Sequence, residues 1–117
     1  MNLQEPGEHP FCGDGINTAT GFSYTPETLM NNSISFFNFF WEDLTNPSYE
    51  WCLNIVQVMQ YIIGSGGKIL VHCHAGQGRT AIIIGAYLLF SGLAKNAQDA
   101  INQTRKNRDK CFSKKYN

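Results

Sequence analysis

The chain has 117 residues, nine Lys or Arg against nine Asp or Glu, and a hydrophobic content of 43%. That length allows one domain, and a formal charge of zero supplies no electrostatic drive toward nucleic acid or an anionic membrane. The apolar content is that of a folding chain, and no apolar run reaches the roughly 18 residues that a membrane-spanning helix needs.

Taken in order, residues 1–24 are rich in Gly, Pro, Asn and Thr and read as loop. Within them, Glu5-Pro6-Gly7-Glu8-His9 predicts either a solvated turn or a rim packed beside a functional loop. Cys12 has no second Cys at ligand spacing, so no metal site is expected there. The four Cys lie far apart with no paired spacing and no signal peptide is visible, which suits a reducing, cytoplasmic setting. Thr25 with Pro26 and Glu27 predicts a short helix ended by Asn31-Asn32. Ile34 to Phe40 follows as a strand aromatic enough for both faces to be covered. Asn46 or Ser48 then caps a helix, with Pro47 near its first turn. Cys52, Ile55, Val56, Met59, Ile62 and Ile63 recur along it at three- and four-residue spacings, as core residues.

Gly64-Ser65-Gly66-Gly67 stops that helix, and Lys68-Ile69-Leu70-Val71 reads as a buried strand. A helix crossing between two strands predicts a βαβ unit, hence an α/β fold with a mostly parallel central sheet flanked by helices. A second helix, apolar on nearly every face, covers Ala81 to Leu89 and is closed by Ser91-Gly92. Asn96 caps a last helix with Asp99 in its first turn. The basic segment from Arg105 to Lys110, followed by Lys114-Lys115, predicts a solvated helix end or a rim that attracts phosphate.

The chemistry concentrates in His72-Cys73-His74-Ala75-Gly76-Gln77-Gly78-Arg79-Thr80. A loop leaving a strand and entering a helix gathers backbone N–H groups into a nest, and the helix start adds partial positive charge. Such a nest suits a dianionic oxyanion, with His74, Ala75, Gly76, Gln77 and Gly78 supplying the rim. Gly76 and Gly78 allow close approaches that a Cβ would obstruct. The same environment favours the thiolate of Cys73 as a nucleophile. Arg79, after five intervening residues, offers a planar fork for two phosphoryl oxygens. Thr80 can donate its hydroxyl to the sulfur when that sulfur leaves. A departing ester oxygen also needs a proton from a carboxylic acid placed opposite the nucleophile. Asp43 and its neighbour Glu42 are the candidates, against the alternative that Asp43 is only a turn or cap residue. A metal held by His72, Cys73 and His74 is not expected, because adjacent ligands on an extended segment point to opposite faces.

His-Cys-x5-Arg-Thr resembles the signature loop of the cysteine-dependent protein tyrosine and dual-specificity phosphatases. The resemblance implies Cys73 as nucleophile, Arg79 as phosphate binder, Thr80 as the hydroxyl of the hydrolysis step and His72 as a support behind the loop. It also implies a phosphotyrosine-phosphatase-like fold and a phosphorylated protein substrate, with no cofactor. In that family the acid is an Asp on a mobile loop about 30 residues before the Cys, the position of Asp43, and Trp41 fits the same loop. Leu3 to His9, Cys12-Gly13, Gly21-Phe22 and His72 to Gly76 resemble the subgroup named protein tyrosine phosphatase domain-containing proteins. The family's complete domains are longer, so the chain is expected to be a partial domain, lacking strands before Met1 and helices after Asn117.

Three positions depart from the pattern: Ala81 replaces a Gly, Asp109 follows Arg108 where the family has Pro, and Ser113 stands where a Gln is expected. Phosphoinositide phosphatases of the superfamily carry Lys in the loop, whereas this loop has His74 and Gln77, which favours a phosphoprotein. The alternatives are a phosphoinositide phosphatase, a non-catalytic phosphate-binding module, and a sulfurtransferase- or arsenate-reductase-like thiol enzyme. The last of these needs neither Asp43 at this spacing nor Thr80.

Overall fold

A computed structural model describes residues 1–108 and 110–112. Ser113, Asp109 and the Lys114-Lys115 pair, to which the sequence attaches roles, lie outside the described residues. Four helices follow in chain order: α1 (Pro26–Asn31), α2 (Tyr49–Gly64), α3 (Arg79–Phe90) and α4 (Ala97–Asn107).

Their ends follow from local chemistry. Ser48, not Asn46, caps α2, its hydroxyl accepting from the Trp51 amide, and Pro47 lies just ahead of the cap. Asn96 caps α4 by accepting from the Asp99 amide. The turn after α2 sets the Gly67 amide on the carbonyl of Ile62, and a Cβ on Gly67 would come within 2.8 Å of the Ile62 side chain. Glycine is therefore required where the chain leaves α2 for the segment that leads to Cys73.

The expected parallel sheet is reduced to two isolated parallel bridges, Asn2 with Asn38 and Asn2 with His72. The Asn2 amide donates to Phe37 and the Phe39 amide to Asn2, while the Leu3 amide donates to His72 and the His72 amide to Met1. Three extended segments thus lie side by side in the order 37–39, 1–3, 70–72. The middle one comes from the stretch expected to be loop, and Asn2 and Leu3 are fully buried. Each outer segment bonds only to this middle one near its bridge, which is too little pairing to make a ladder.

The outer segments are not covered on both faces, contrary to expectation. Leu70 is 74% exposed, Ile34 53% and Phe40 45%. Buried residues instead gather on one side, where Leu3, Trp41, Ile55, Met59, Cys73 and Ile83 form one cluster. α3 runs through the middle of the packing, touching both α2 and α4. The stripe on α2 buries Ile55, Val56 and Met59, whereas Ile63 is exposed. A second small cluster joins Ala81 of α3 to Cys111 and Phe112, the segment held there by Arg105 donating to the carbonyls of both. Arg105 of the basic segment therefore has a structural role while remaining exposed. The packing fixes the C-terminal end of the outer segment 70–72 and the N-terminal end of α3, and the loop between them carries Cys73.

Candidate active site

Cys73 is buried directly after the His72 bridge, and the Gly76 amide donates to its Sγ at 3.3 Å. Gly76 has φ +75°, in the left-handed region, and a Cβ there would meet the Arg108 guanidinium at 3.1 Å. That guanidinium donates from Nη2 to the Gly76 carbonyl at 2.7 Å, so α4 braces the loop from outside. Behind the loop, His72 lies 3.3 Å from the Cys73 carbonyl through Nδ1 and 2.7 Å from the Tyr24 hydroxyl through Nε2. A carbonyl only accepts, so Nδ1 carries the proton and Nε2 of the neutral ring accepts from Tyr24. Burial, aided by the nearby N-terminal charge, lowers the His72 pKa despite the bond to Cys73, in keeping with that neutral ring.

Arg79 opens α3 and is the largest fully buried side chain, 1% exposed. Its Nη1 donates to Glu8 Oε2 at 2.8 Å and to the carbonyls of Leu3 and Trp41 at 3.1 Å, while Nη2 donates to Glu8 Oε1. Burial opposes its charge, but Glu8, Asp43 and Cys73 more than offset this and raise its pKa. Five N–H groups are available on a guanidinium. Among the described residues the Nε–H has no hydrogen-bond partner, and Nη2 makes one bond. The edge formed by Nε and the second Nη2 hydrogen is the fork left for two oxygens of a phosphoryl group.

That edge is covered by the acid loop. Asp43 Oδ1 lies 3.4 Å from Arg79 Nε, and the Trp41 carbonyl rests on Nη1. Trp41 is itself buried and anchors the loop by donating from Nε1 to the Thr45 carbonyl. Asp43 Oδ2 pairs with His9 Nε2 at 2.9 Å, and Oδ1 accepts from the Leu44 amide. Burial acts to raise the Asp43 pKa, but the His9 bond, the Arg79 charge and the Leu44 amide outweigh it, and the carboxyl is held below its ordinary value. Glu42, the rival, is exposed. Thr80 is fully buried, and its Oγ1 has no hydrogen-bond partner among the described residues, Cys73 Sγ included. His74 and Ala75 are exposed on the loop, Gln77 is half-buried, and Gly78 is buried as the residue before α3.

The structure therefore joins Asp43 to Arg79, Arg79 to Glu8 and Asp43 to His9, so residues 5–9, expected as either a solvated turn or a rim beside a functional loop, form the rim. The signal was present in the adjacency of a carboxylate and an imidazole after Pro6-Gly7. What the sequence does not carry is which partners the turn takes, Asp43 lying 34 residues from His9 and Arg79 71 residues from Glu8.

A buried cysteine on a loop between an extended segment and a helix, a buried guanidinium and a carboxylate on a separate loop are the arrangement of a phosphotyrosine-phosphatase fold. The chain belongs to the family described as dual specificity phosphatase, catalytic domain, which its residues 15–117 match. It is 45% identical over 91 residues to mouse (Mus musculus) protein tyrosine phosphatase domain-containing protein 1, covering 78% of this chain and 12% of that protein. It is 38% identical over 68 residues to the tyrosine-protein phosphatase CDC14 of Saccharomyces cerevisiae, covering 58% of this chain and 12% of that protein. The chain thus spans about an eighth of the length of these relatives. The crystal structure of Tk-PTP in the active form superposes with a TM-score of 0.78 at 22% identity, covering 98% of this chain and 69% of that chain.

Proposed function

We propose that the chain carries the catalytic centre of a phosphoprotein phosphatase that hydrolyses phosphotyrosine, with phosphoserine and phosphothreonine as a second substrate class, through a cysteinyl-phosphate intermediate. The observation that supports this most is the Nε and Nη2 edge of Arg79, whose Nε has no hydrogen-bond partner among the described residues and lies beside the Asp43 carboxylate.

In the first step the Cys73 thiolate attacks phosphorus. The P–O ester bond breaks as a P–S bond forms, and the Asp43 carboxylic acid gives its proton to the departing oxygen. In the second step water attacks phosphorus, the P–S bond breaks to return the thiolate, and the Asp43 carboxylate accepts the proton of the water. Arg79 holds the equatorial oxygens through both steps. Entry of a phosphate dianion brings negative charge beside Asp43 and draws Arg79 toward the substrate, and both effects favour the protonated acid that the first step needs. Thr80 acts in the second step by donating to the leaving sulfur after a side-chain rotation.

The test is turnover of p-nitrophenyl phosphate by the chain beside its Cys73→Ser variant. The expected result is turnover in the first and none in the second, with vanadate affinity kept in both. Equal turnover in the two would overturn the assignment. Vanadate binding with no turnover in either would make the chain a phosphate-binding module.

A further inference from the structure

His9, Cys12 and His74 meet at the mouth of the site, where the phosphatase chemistry gives Cys12 nothing to do. One donor atom from each lies within 4.8 Å of the other two. The Cys12 amide donates to the His9 carbonyl at 3.1 Å, a turn that brings residues three apart to one side. His74 arrives from the phosphate loop and stacks on His9, ring centroids 4.4 Å apart. All three line a cavity of about 370 Å³.

The His9 ring is held in a manner typical of metal ligands. Its Nε2 is paired with the Asp43 carboxylate, which leaves Nδ1 as the donor. A histidine that binds a metal through one nitrogen commonly gives the other to a carboxylate, which fixes its tautomer and its orientation. His9 also has φ +49°, a left-handed backbone that a non-glycine residue keeps only when its surroundings enforce it.

We propose that His9, Cys12 and His74 bind a borderline-soft divalent cation, zinc by the chemistry of the donors, and that the bound ion shuts the phosphate loop. Two imidazoles and a thiolate match zinc and leave a fourth position open to the cavity. Zn–N bonds of about 2.0 Å and Zn–S bonds of about 2.3 Å place tetrahedral donors about 3.4–3.6 Å apart. Closing from the 4.8 Å limit requires about 1 Å of movement, which side-chain rotation supplies because Cys12 and His74 are exposed. The ion would bridge the 5–15 loop to the phosphate loop and tie His9 to Asp43, leaving a phosphoester no path to Cys73. The inhibition rests on the phosphatase reading above, but the binding does not.

Cobalt(II) is the probe for binding, since a cobalt–thiolate bond gives a near-ultraviolet charge-transfer band that zinc competes away. The full chain is titrated as wild type, Cys73→Ser, Cys12→Ser and His74→Gln, with folding checked by circular dichroism. The expected result is a 1:1 band kept in Cys73→Ser, lost in Cys12→Ser and weakened about tenfold or more in His74→Gln. Zinc should also suppress p-nitrophenyl phosphate turnover in the wild type but not in Cys12→Ser, whose metal-free turnover should match wild type. A band that survives Cys12→Ser or vanishes in Cys73→Ser, or no band at all, overturns the site. Should the chain turn over no ester, the cobalt spectra still decide the binding.

Discussion

At the scale of single residues, Arg79 is the point where the candidate site and the stability of the chain meet. One edge of its guanidinium is occupied by Glu8 and two carbonyls, and the other faces Asp43 with no hydrogen-bond partner at Nε among the described residues. Arg79→Lys keeps the charge but loses the fork, so kcat/KM for p-nitrophenyl phosphate should fall about 10²-fold, close to 2.7 kcal/mol of transition-state stabilisation. A loss below about threefold would show that the fork is not used. Glu8→Gln leaves the buried Arg79 charge without its principal partner and should destabilise the fold by on the order of 3 kcal/mol, read from denaturant midpoints. Asp43 separates the acid role from the cap role by leaving-group dependence. Asp43→Asn should slow an aryl phosphate with a poor leaving group far more than an activated nitrophenyl ester. An equal loss on both would assign Asp43 to loop structure, and a selective loss in Glu42→Gln instead would move the role by one residue.

At the scale of elements, the helices were legible because their signals are local. The three- and four-residue recurrence of Ile55, Val56 and Met59, the Ser48 and Asn96 caps and the Gly stop after Ile63 each act within a few residues of the backbone they shape. Ile55 is fully buried in the main cluster, and Ile55→Ala should cost about 2–5 kcal/mol in chemical unfolding. A cost under about 1 kcal/mol would mean that α2 packs loosely there. The extended segments were read less well. Aromatic density in 34–40 suggested two covered faces, but density reports only that some face is apolar, and here one side stays open. The segment from His72 to Thr80 was legible as a loop entering a helix, since its small residues and glycines lead directly into α3, which opens at Arg79.

At the scale of the whole molecule, what the sequence hid is what distant segments do to one another. Glu8 reaches Arg79, His9 reaches Asp43 and His74, and Asn2 fills the gap between residues 37–39 and 70–72, none of which leaves a mark at short spacing. The Cys12 surroundings are the clearest case, because the second imidazole beside it, that of His74, comes from a distant loop. The central position of residues 1–3 has a kinetic consequence. The Leu3 carbonyl meets Arg79 across 76 residues of chain, and Met1 meets Leu70 across 69. Helices such as α2 and α3 can begin to form from neighbouring residues alone, but these closures must wait until a long loop has been drawn together. Residues 1–3 are thus among the last to find their partners, and the pocket around Arg79 is completed late in folding.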